Sequence, residues 1–219
     1  QMEEFSYSVA HDLRAPLRAI NAYSTVLMED YGADLDGTAR GFLEKIQRSS
    51  DRMNRLTQDV LSYSRVARSE VRLEPVALES LVRDVICQYA DLQPPQAEVE
   101  VVAPLPAVLG HEVTLGQCVA NLLNNAVKFV APNVKPRVRV RAESAGKNVR
   151  ILFEDNGIGI KPEHRDRIFQ MFERVHPEGK YDGTGIGLTI VRKAVEKMGG
   201  KVRVESSDEN GTRFSIELR

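Results

Sequence analysis

Residues Phe5–Ile20 read FSYSVAHDLRAPLRAI, and the way this stretch is taken decides the architecture of everything around it. At about 100° per residue, Phe5, Val9, Leu13, Pro16, Ile20 and Leu27 gather on one side of a helical wheel, an amphipathic pattern. His11 falls opposite that stripe, with Asp12 beside it and Arg14 and Arg18 on the neighbouring surface, so the wheel turns the imidazole toward solvent. Pro16 removes a helix hydrogen bond and is expected to bend or loosen the helix just past the histidine. An imidazole so placed can present a ring nitrogen to a phosphoryl donor while Asp12 accepts its proton. It can equally be a plain solvated surface residue, and the stretch alone does not choose.

A second helical pattern follows, with Phe42, Ile46, Ser49, Met53, Leu56, Val60 and Tyr63 at steps of three and four. Between the two lies Tyr31–Gly37, YGADLDG, whose glycines and aspartates mark a turn. The reading is an antiparallel helical hairpin over residues 1–68. Two helices enclose no core of their own, so the hairpin is expected to pair with a second copy in a dimeric four-helix bundle.

The seam stops near Ala67, and residues 69–74 read as a linker to a mixed segment over 75–219. There, Leu78–Leu92 and Val113–Val130 are helical in pattern, and Glu98–Val102 and Ala107–Leu109 read as short strands. Arg137–Ala142 and Val149–Phe153 alternate as an antiparallel pair around Ala145-Gly146-Lys147. A helix over Gly187–Met198 and strands over Val202–Ser206 and Arg213–Leu218 complete an α/β sandwich, so the whole chain is of the α+β class.

Composition narrows the function. The 219 residues carry a formal net charge of −1, which gives no sign of a nucleic-acid partner. Cys87 and Cys118 form no metal-ligand spacing and read as buried free thiols in a reducing compartment. No apolar run approaches membrane-spanning length. The chain opens inside a helical pattern, as expected of a piece of a longer protein whose upstream part is missing.

Three clusters in the second half suit a nucleotide. Asn121, Asn125 and Lys128 recur on one helix face in NLLNNAVKF, offering amides as hard ligands for magnesium and an ammonium for phosphate. Asp155-Asn-Gly157-Ile-Gly159-Ile160 follows a strand; its carboxylate can accept from an exocyclic amine such as that of adenine, and its glycines let the backbone pass near a flat ring. Gly183-Thr184-Gly185-Ile-Gly187-Leu188 opens a helix, where backbone amides face phosphate oxygens. It is neither a Walker A motif nor a dinucleotide fingerprint. Between the last two clusters, FQMFERVHPEGKYD (169–182) reads as a lid in which Arg174 and Lys180 reach toward a terminal phosphate.

In order and spacing, these clusters resemble the catalytic core of a two-component sensor histidine kinase, along essentially the whole chain. His11-Asp12-Leu-Arg14-Ala-Pro16-Leu17 is similar to the H box, Asn121–Lys128 to the N box and Asp155–Gly159 to the G1 box. Phe169–Phe172 is similar to the F box and Gly183–Gly187 to the G2 box. The wording near His11 resembles phytochrome-type sensors. The resemblance implies a dimerisation and phosphotransfer hairpin followed by an ATP-binding domain of the gyrase, chaperone and kinase superfamily. It implies that His11 attacks the γ-phosphate of ATP with Asp12 as base or orienting partner. Asn125 would hold Mg2+, with Asn121 and Lys128 near the phosphates. The nucleotide would also meet Phe129, Asp155, Gly157, Gly159, Ile160, Phe172, Arg174, Lys180 and the G2 residues through Leu188, with Thr212 supporting the adenine side through hydroxyl or water contacts. It implies a homodimer, an upstream sensor and a response-regulator receiver domain as phosphoryl acceptor, in the cytoplasm whether or not the longer protein is anchored to a membrane.

One residue departs from the family pattern. Many relatives that also dephosphorylate their partner carry threonine or asparagine four residues after the histidine, and here that place is Ala15. The expectation is weak phosphatase activity. Two other functions fit parts of the chain: an ATPase of the gyrase or chaperone sort, which lacks the HDLRAP hairpin, and a dimeric scaffold that binds nucleotide without phosphorylating itself.

Overall fold

The computed structural model describes the backbone of residues 2–175, 181, 183–208 and 211–219, and their side chains except for residues 2–9, 11 and 206–208. The chain divides into two compact units, one ending at Arg65 and the other spanning Val66–Arg219.

The first unit is a helical hairpin of α1 (Met2–Tyr31) and α2 (Gly37–Arg68). Asp36 begins α2 by accepting the Ala39 N–H at 2.7 Å, the bond an N-cap makes to an otherwise orphaned donor. Arg40 reaches back to the Gly32 carbonyl and closes the turn. The seam between the helices differs from the one the wheel suggests. It is built from Ala10, Leu17 and Ser24 on α1 and from Ser50, Thr57, Leu61 and Ser64 on α2, all buried. Ser50 Oγ donates to the Leu17 carbonyl at 3.0 Å, and Asn21 Nδ2 to Asp51 Oδ1 at 2.7 Å.

The larger apolar side chains face outward. Leu13, Ile20, Leu27, Phe42, Ile46 and Met53 are 39–58% exposed. Leu17, Ile20, Phe42, Ile46 and Met53 line an open groove of about 430 Å³. Among the described residues, this part of the stripe read from the sequence is left exposed by the chain itself. Small side chains beside Leu17 and Leu61 let the two helices approach closely, and these other bulky ones are left on the outside.

The second unit is a five-stranded sheet with helices on one face. Its strands are β2 (Glu98–Val101), β4 (Arg137–Ala145), β5 (Asn148–Asp155), β6 (Lys201–Asp208) and β7 (Gly211–Leu218), ordered β2-β4-β5-β7-β6. The β2–β4 pair is parallel and the others are antiparallel. A separate ribbon pairs β1 (Glu74–Val76) with β3 (Val108–Gly110). Strand β1 begins inside the stretch read as linker. Three residues around Pro75 carry no alternation by which to find it, and its pairing with β3 is a long-range contact.

Val138, Val140, Ile151, Phe153, Phe214 and Ile216 turn inward from the sheet. They meet apolar residues of α3 (Leu78–Gln88), α4 (Glu112–Lys128) and α5 (Gly187–Lys197), among them Val82, Leu115, Leu122, Leu123, Ile190 and Val195. Helix α3 stops four residues short of Leu92, because Ala90–Leu92 tightens into a separate 3₁₀ turn. The opposite sheet face carries ion pairs such as Glu100–Arg139 (2.9 Å) and Glu98–Arg137 (3.1 Å). Exposed pairs of this kind add little stability, but they keep the open face polar.

One cysteine departs from expectation. Cys118 is buried, and burial pushes its thiol up to about 12, whereas Cys87 is exposed; both are free. Among the described residues no helix is long and apolar enough to cross a membrane.

Candidate functional site

Helix α4 supplies one wall. His111 caps its start, with Nδ1 accepting the Thr114 N–H at 3.3 Å, and Phe129 closes its end by donating its N–H to Asn125 O at 3.0 Å. Asn121, Asn125 and Lys128 lie on one stripe of this helix at steps of four and three. Asn121 Nδ2 is tied back to the Gln117 carbonyl at 2.9 Å, which leaves its oxygen to point elsewhere. The Asn125 amide is half-buried and has no hydrogen-bond partner among the described residues.

The DNGIGI loop leaves β5 beneath the end of α4. Ile158 donates to the Phe129 carbonyl at 2.9 Å. Asp155 is held from two sides: its Oδ1 accepts the Gly157 N–H at 2.8 Å and the Thr212 N–H at 3.0 Å. With one oxygen so engaged, the other can read an amine. Burial pushes this carboxyl up to about 6, against the pull of the two N–H groups. Thr212 thus enters through its backbone, a role that its hydroxyl did not suggest. Gly211 is there of necessity, since a Cβ at that residue would lie 1.8 Å from the Asp155 carbonyl oxygen and its φ is +139°.

Asn156 is a residue that the sequence motif passes over. Its Oδ1 accepts the Arg137 N–H at 2.8 Å and its Nδ2 donates to the Lys135 carbonyl at 3.0 Å, locking the loop to the start of β4. Nothing local signals this, because the partners lie about twenty residues away.

The glycine loop brings the third wall against α4. A Cβ at Gly187 would sit 2.9 Å from Asn121 Oδ1, and one at Gly183 would sit 2.7 Å from Lys128 Nζ. Thr184 Oγ1 accepts the Ile186 N–H at 3.4 Å just before α5 begins at Gly187, with Leu188 in its first turn. Phe172 has φ +65° and is 57% exposed, and its N–H is held by Gly185 O at 3.0 Å. Phe169 turns inward and meets Phe214 edge-on with ring centres 6.4 Å apart. Arg174 Nη2 donates to the Tyr181 carbonyl at 2.9 Å, an engagement its charge alone did not foretell. Lys180 lies outside the described residues.

Asn121, Asn125, Lys128, Phe129, Asp155, Gly157, Gly159, Ile160, Gly183–Leu188 and Thr212 therefore all belong to the elements that meet around the end of α4. Among the described residues no cluster of three His, Cys, Asp or Glu could hold a metal on its own. The Asn125 amide oxygen, with no partner among the described residues, suits a hard cation that takes its remaining ligands from phosphate and water. His11 and Asp12 stand on α1 in the other unit. Asp12 and Ala15 are exposed, and the His11 side chain lies outside the described residues.

Comparison with known proteins bears on both units. Residues 1–68 match the model of the His Kinase A (phospho-acceptor) domain. Residues 110–219 match the model described as histidine kinase-, DNA gyrase B- and HSP90-like ATPase. Cyanobacterial phytochrome B of a Nostoc species is 33% identical over 100% of this chain and 29% of its own length. The methanogenesis regulatory histidine kinase FilI of Methanothrix harundinacea is 32% identical over 97% of this chain and 24% of its own. The chain thus spans less than a third of these curated relatives. Among solved structures, full-length ShkA in complex with AMPPNP aligns with a TM-score of 0.70 at 31% identity, covering 98% of this chain and 45% of that one.

Proposed function

The chain belongs to the protein histidine kinases of two-component signalling, and on that premise we propose that it phosphorylates itself on His11 and passes the phosphoryl group to an aspartate of a response-regulator receiver domain. One observation carries this reading. A nucleotide site of three converging elements and an HDLRAP helix occur in the same chain, and an ATPase without phosphotransfer has no use for the second.

The chemistry follows from the residues. An imidazole nitrogen lone pair attacks the γ-phosphorus, the bond to the bridging oxygen breaks and ADP leaves, and the ring proton passes to Asp12. Asp155 accepts from the adenine amine through the oxygen that the backbone leaves uncommitted. Phe129 lies beside it, and the glycine loop directs backbone N–H groups at the phosphates. Lys128 meets a phosphate as a point charge. Mg2+ held at Asn125 would neutralise phosphate charge. In the second step a receiver carboxylate oxygen attacks the phosphorus, the P–N bond breaks and the ring takes back the proton that Asp12 received, which returns His11 as neutral imidazole.

The homodimer is part of the same proposal. The exposed row of Leu13, Ile20, Leu27, Phe42, Ile46 and Met53 suits a second hairpin, which would bury what one chain leaves open. The ATP analogue in the ShkA structure supports ATP as the nucleotide. A cytoplasmic setting goes with ATP and with a receiver partner.

The direct test is incubation with γ-labelled ATP and Mg2+. Label that is acid-labile and base-stable on the protein supports the proposal, and ATP hydrolysis with no protein label replaces it with the ATPase reading. Ala15 adds a second expectation. It is exposed one turn past His11 and has no polar group to orient a water, so dephosphorylation of a receiver phosphate by this chain should be slow. Ala15→Thr should raise that rate by about tenfold or more, as a positioned general base or hydrogen-bond partner does. Fast hydrolysis by the unaltered chain would show that Ala15 is no impediment.

A further inference from the structure

We propose that Tyr181 is a positioning residue for the phosphate grip, acting through Phe129 and Lys128; this rests on the nucleotide-site reading above. Tyr181 is fixed at three points. Its hydroxyl donates to the Val130 carbonyl at 2.9 Å, just past the end of α4. Its ring packs against Phe129 with centres 5.3 Å apart and planes tilted by 54°. Its own carbonyl accepts from Arg174 Nη2 at 2.9 Å. A tyrosine so restrained at both its ends is a peg between the glycine loop and α4.

The peg acts on the lysine through two contacts. The Lys128 ammonium stands 4.6 Å from the centre of the Phe129 ring, the distance of a cation–π contact. Gly183, two residues after Tyr181, is so close to the same ammonium that a Cβ there would lie 2.7 Å from Nζ. Tyr181 and Gly183 therefore each meet the end of α4, the first at Phe129 and Val130 and the second at Lys128. A lysine head on a flexible four-carbon stem is costly to order when a phosphate arrives. Here the ring beneath it is held in place by Tyr181, so part of that ordering is already done. Arg174 serves this peg through its bond to the Tyr181 carbonyl.

The test compares affinities for Mg·ATP and for adenosine, measured by calorimetry on the whole chain. Tyr181→Phe keeps the ring and removes only the hydroxyl bond to Val130. It should weaken ATP about three- to tenfold, the worth of one hydrogen bond, and leave adenosine within about twofold. In a Lys128→Ala background the same change should have no further effect on ATP, because the two residues act as one unit. Equal losses for ATP and adenosine, or losses that add in the double variant, would overturn the proposal and leave Tyr181 as plain packing. Tyr181→Ala should cost more, but if it loosens the fold, the phenylalanine variant and the double-mutant cycle still decide. If the unaltered chain bound no ATP, the nucleotide-site reading would fall as well. If it binds ATP and Tyr181→Phe binds equally well, only the role of Tyr181 falls.

Discussion

His11→Gln abolishes incorporation of acid-labile phosphate and leaves nucleotide binding intact; that is the largest effect the structure and the sequence lead us to expect. Glutamine keeps a polar side chain of similar reach on α1, but its amide nitrogen has no lone pair available for attack on phosphorus. The loss should exceed about a thousandfold, as it does when a sole nucleophile is removed. Nucleotide affinity should stay unchanged, since the groups assigned to the nucleotide belong to the unit Val66–Arg219 and His11 belongs to the other. The separation of the two readouts makes the variant informative. Label retained by His11→Gln at the original level, with the same acid lability, would place the phosphoryl group on another residue and sink the proposed mechanism. Loss of both label and ATP affinity would instead point to a damaged chain.

Much of this molecule is written in local patterns, and the parts that are not share a cause. The outward row on the hairpin (Leu13, Ile20, Leu27) was visible on a wheel because bulky apolar residues at helical spacing are conspicuous. The wheel could not say what the row faces. Within the chain the helices meet instead through Ser24, Ser50, Thr57 and Ser64, residues that hydropathy counts as polar and a wheel assigns to solvent. Their burial is tolerable because hydroxyls find carbonyls close by, as Ser24 does at Ile20 and Ser50 at Leu17.

The nucleotide site divides in the same way. Asn121, Asn125 and Lys128 share a face by simple helical arithmetic, and a DNGIG run after an alternating strand announces a tight turn. The contacts that no local pattern shows act over long separations. Thr212 reaches Asp155 through its backbone N–H across 57 residues, and Tyr181 reaches Val130 across 51. Asn156 reaches Lys135 across 21. A backbone donor leaves no trace in side-chain chemistry, so a residue such as Thr212 invites an account built on its hydroxyl. Only the sheet order, which sets β7 beside β5, puts that N–H where it works.

Asp155 carries the second large expectation, in which stability and binding move in opposite directions. Its carboxyl is pushed up to about 6 by burial, well above the usual 3.8. The sign follows from that shift: the fold prefers the protonated acid, so stability is greatest below the unfolded value and falls as pH rises toward about 6. Above that the ionised group costs on the order of 3 kcal/mol relative to acid conditions. Asp155→Asn removes the charge but keeps an oxygen for the Gly157 and Thr212 N–H groups, so the domain should melt several degrees higher at pH 7.5. The same change turns an acceptor for the adenine amine into a donor facing a donor. A charge-assisted hydrogen bond is worth about 1.5–3 kcal/mol, so ATP affinity should fall about ten- to a hundredfold. In the unaltered chain ATP affinity should also decline as pH drops below about 6, by up to about tenfold per pH unit as the carboxylate takes up its proton. The asparagine variant should show no such slope. Melting curves and calorimetric titrations at pH 7.5 and 5.5 test both halves together. A variant that binds ATP as tightly as the original would remove Asp155 from the adenine site. A variant that loses ATP and also melts lower would make this carboxylate a support of the fold, not a group held charged against its burial for the sake of the nucleotide.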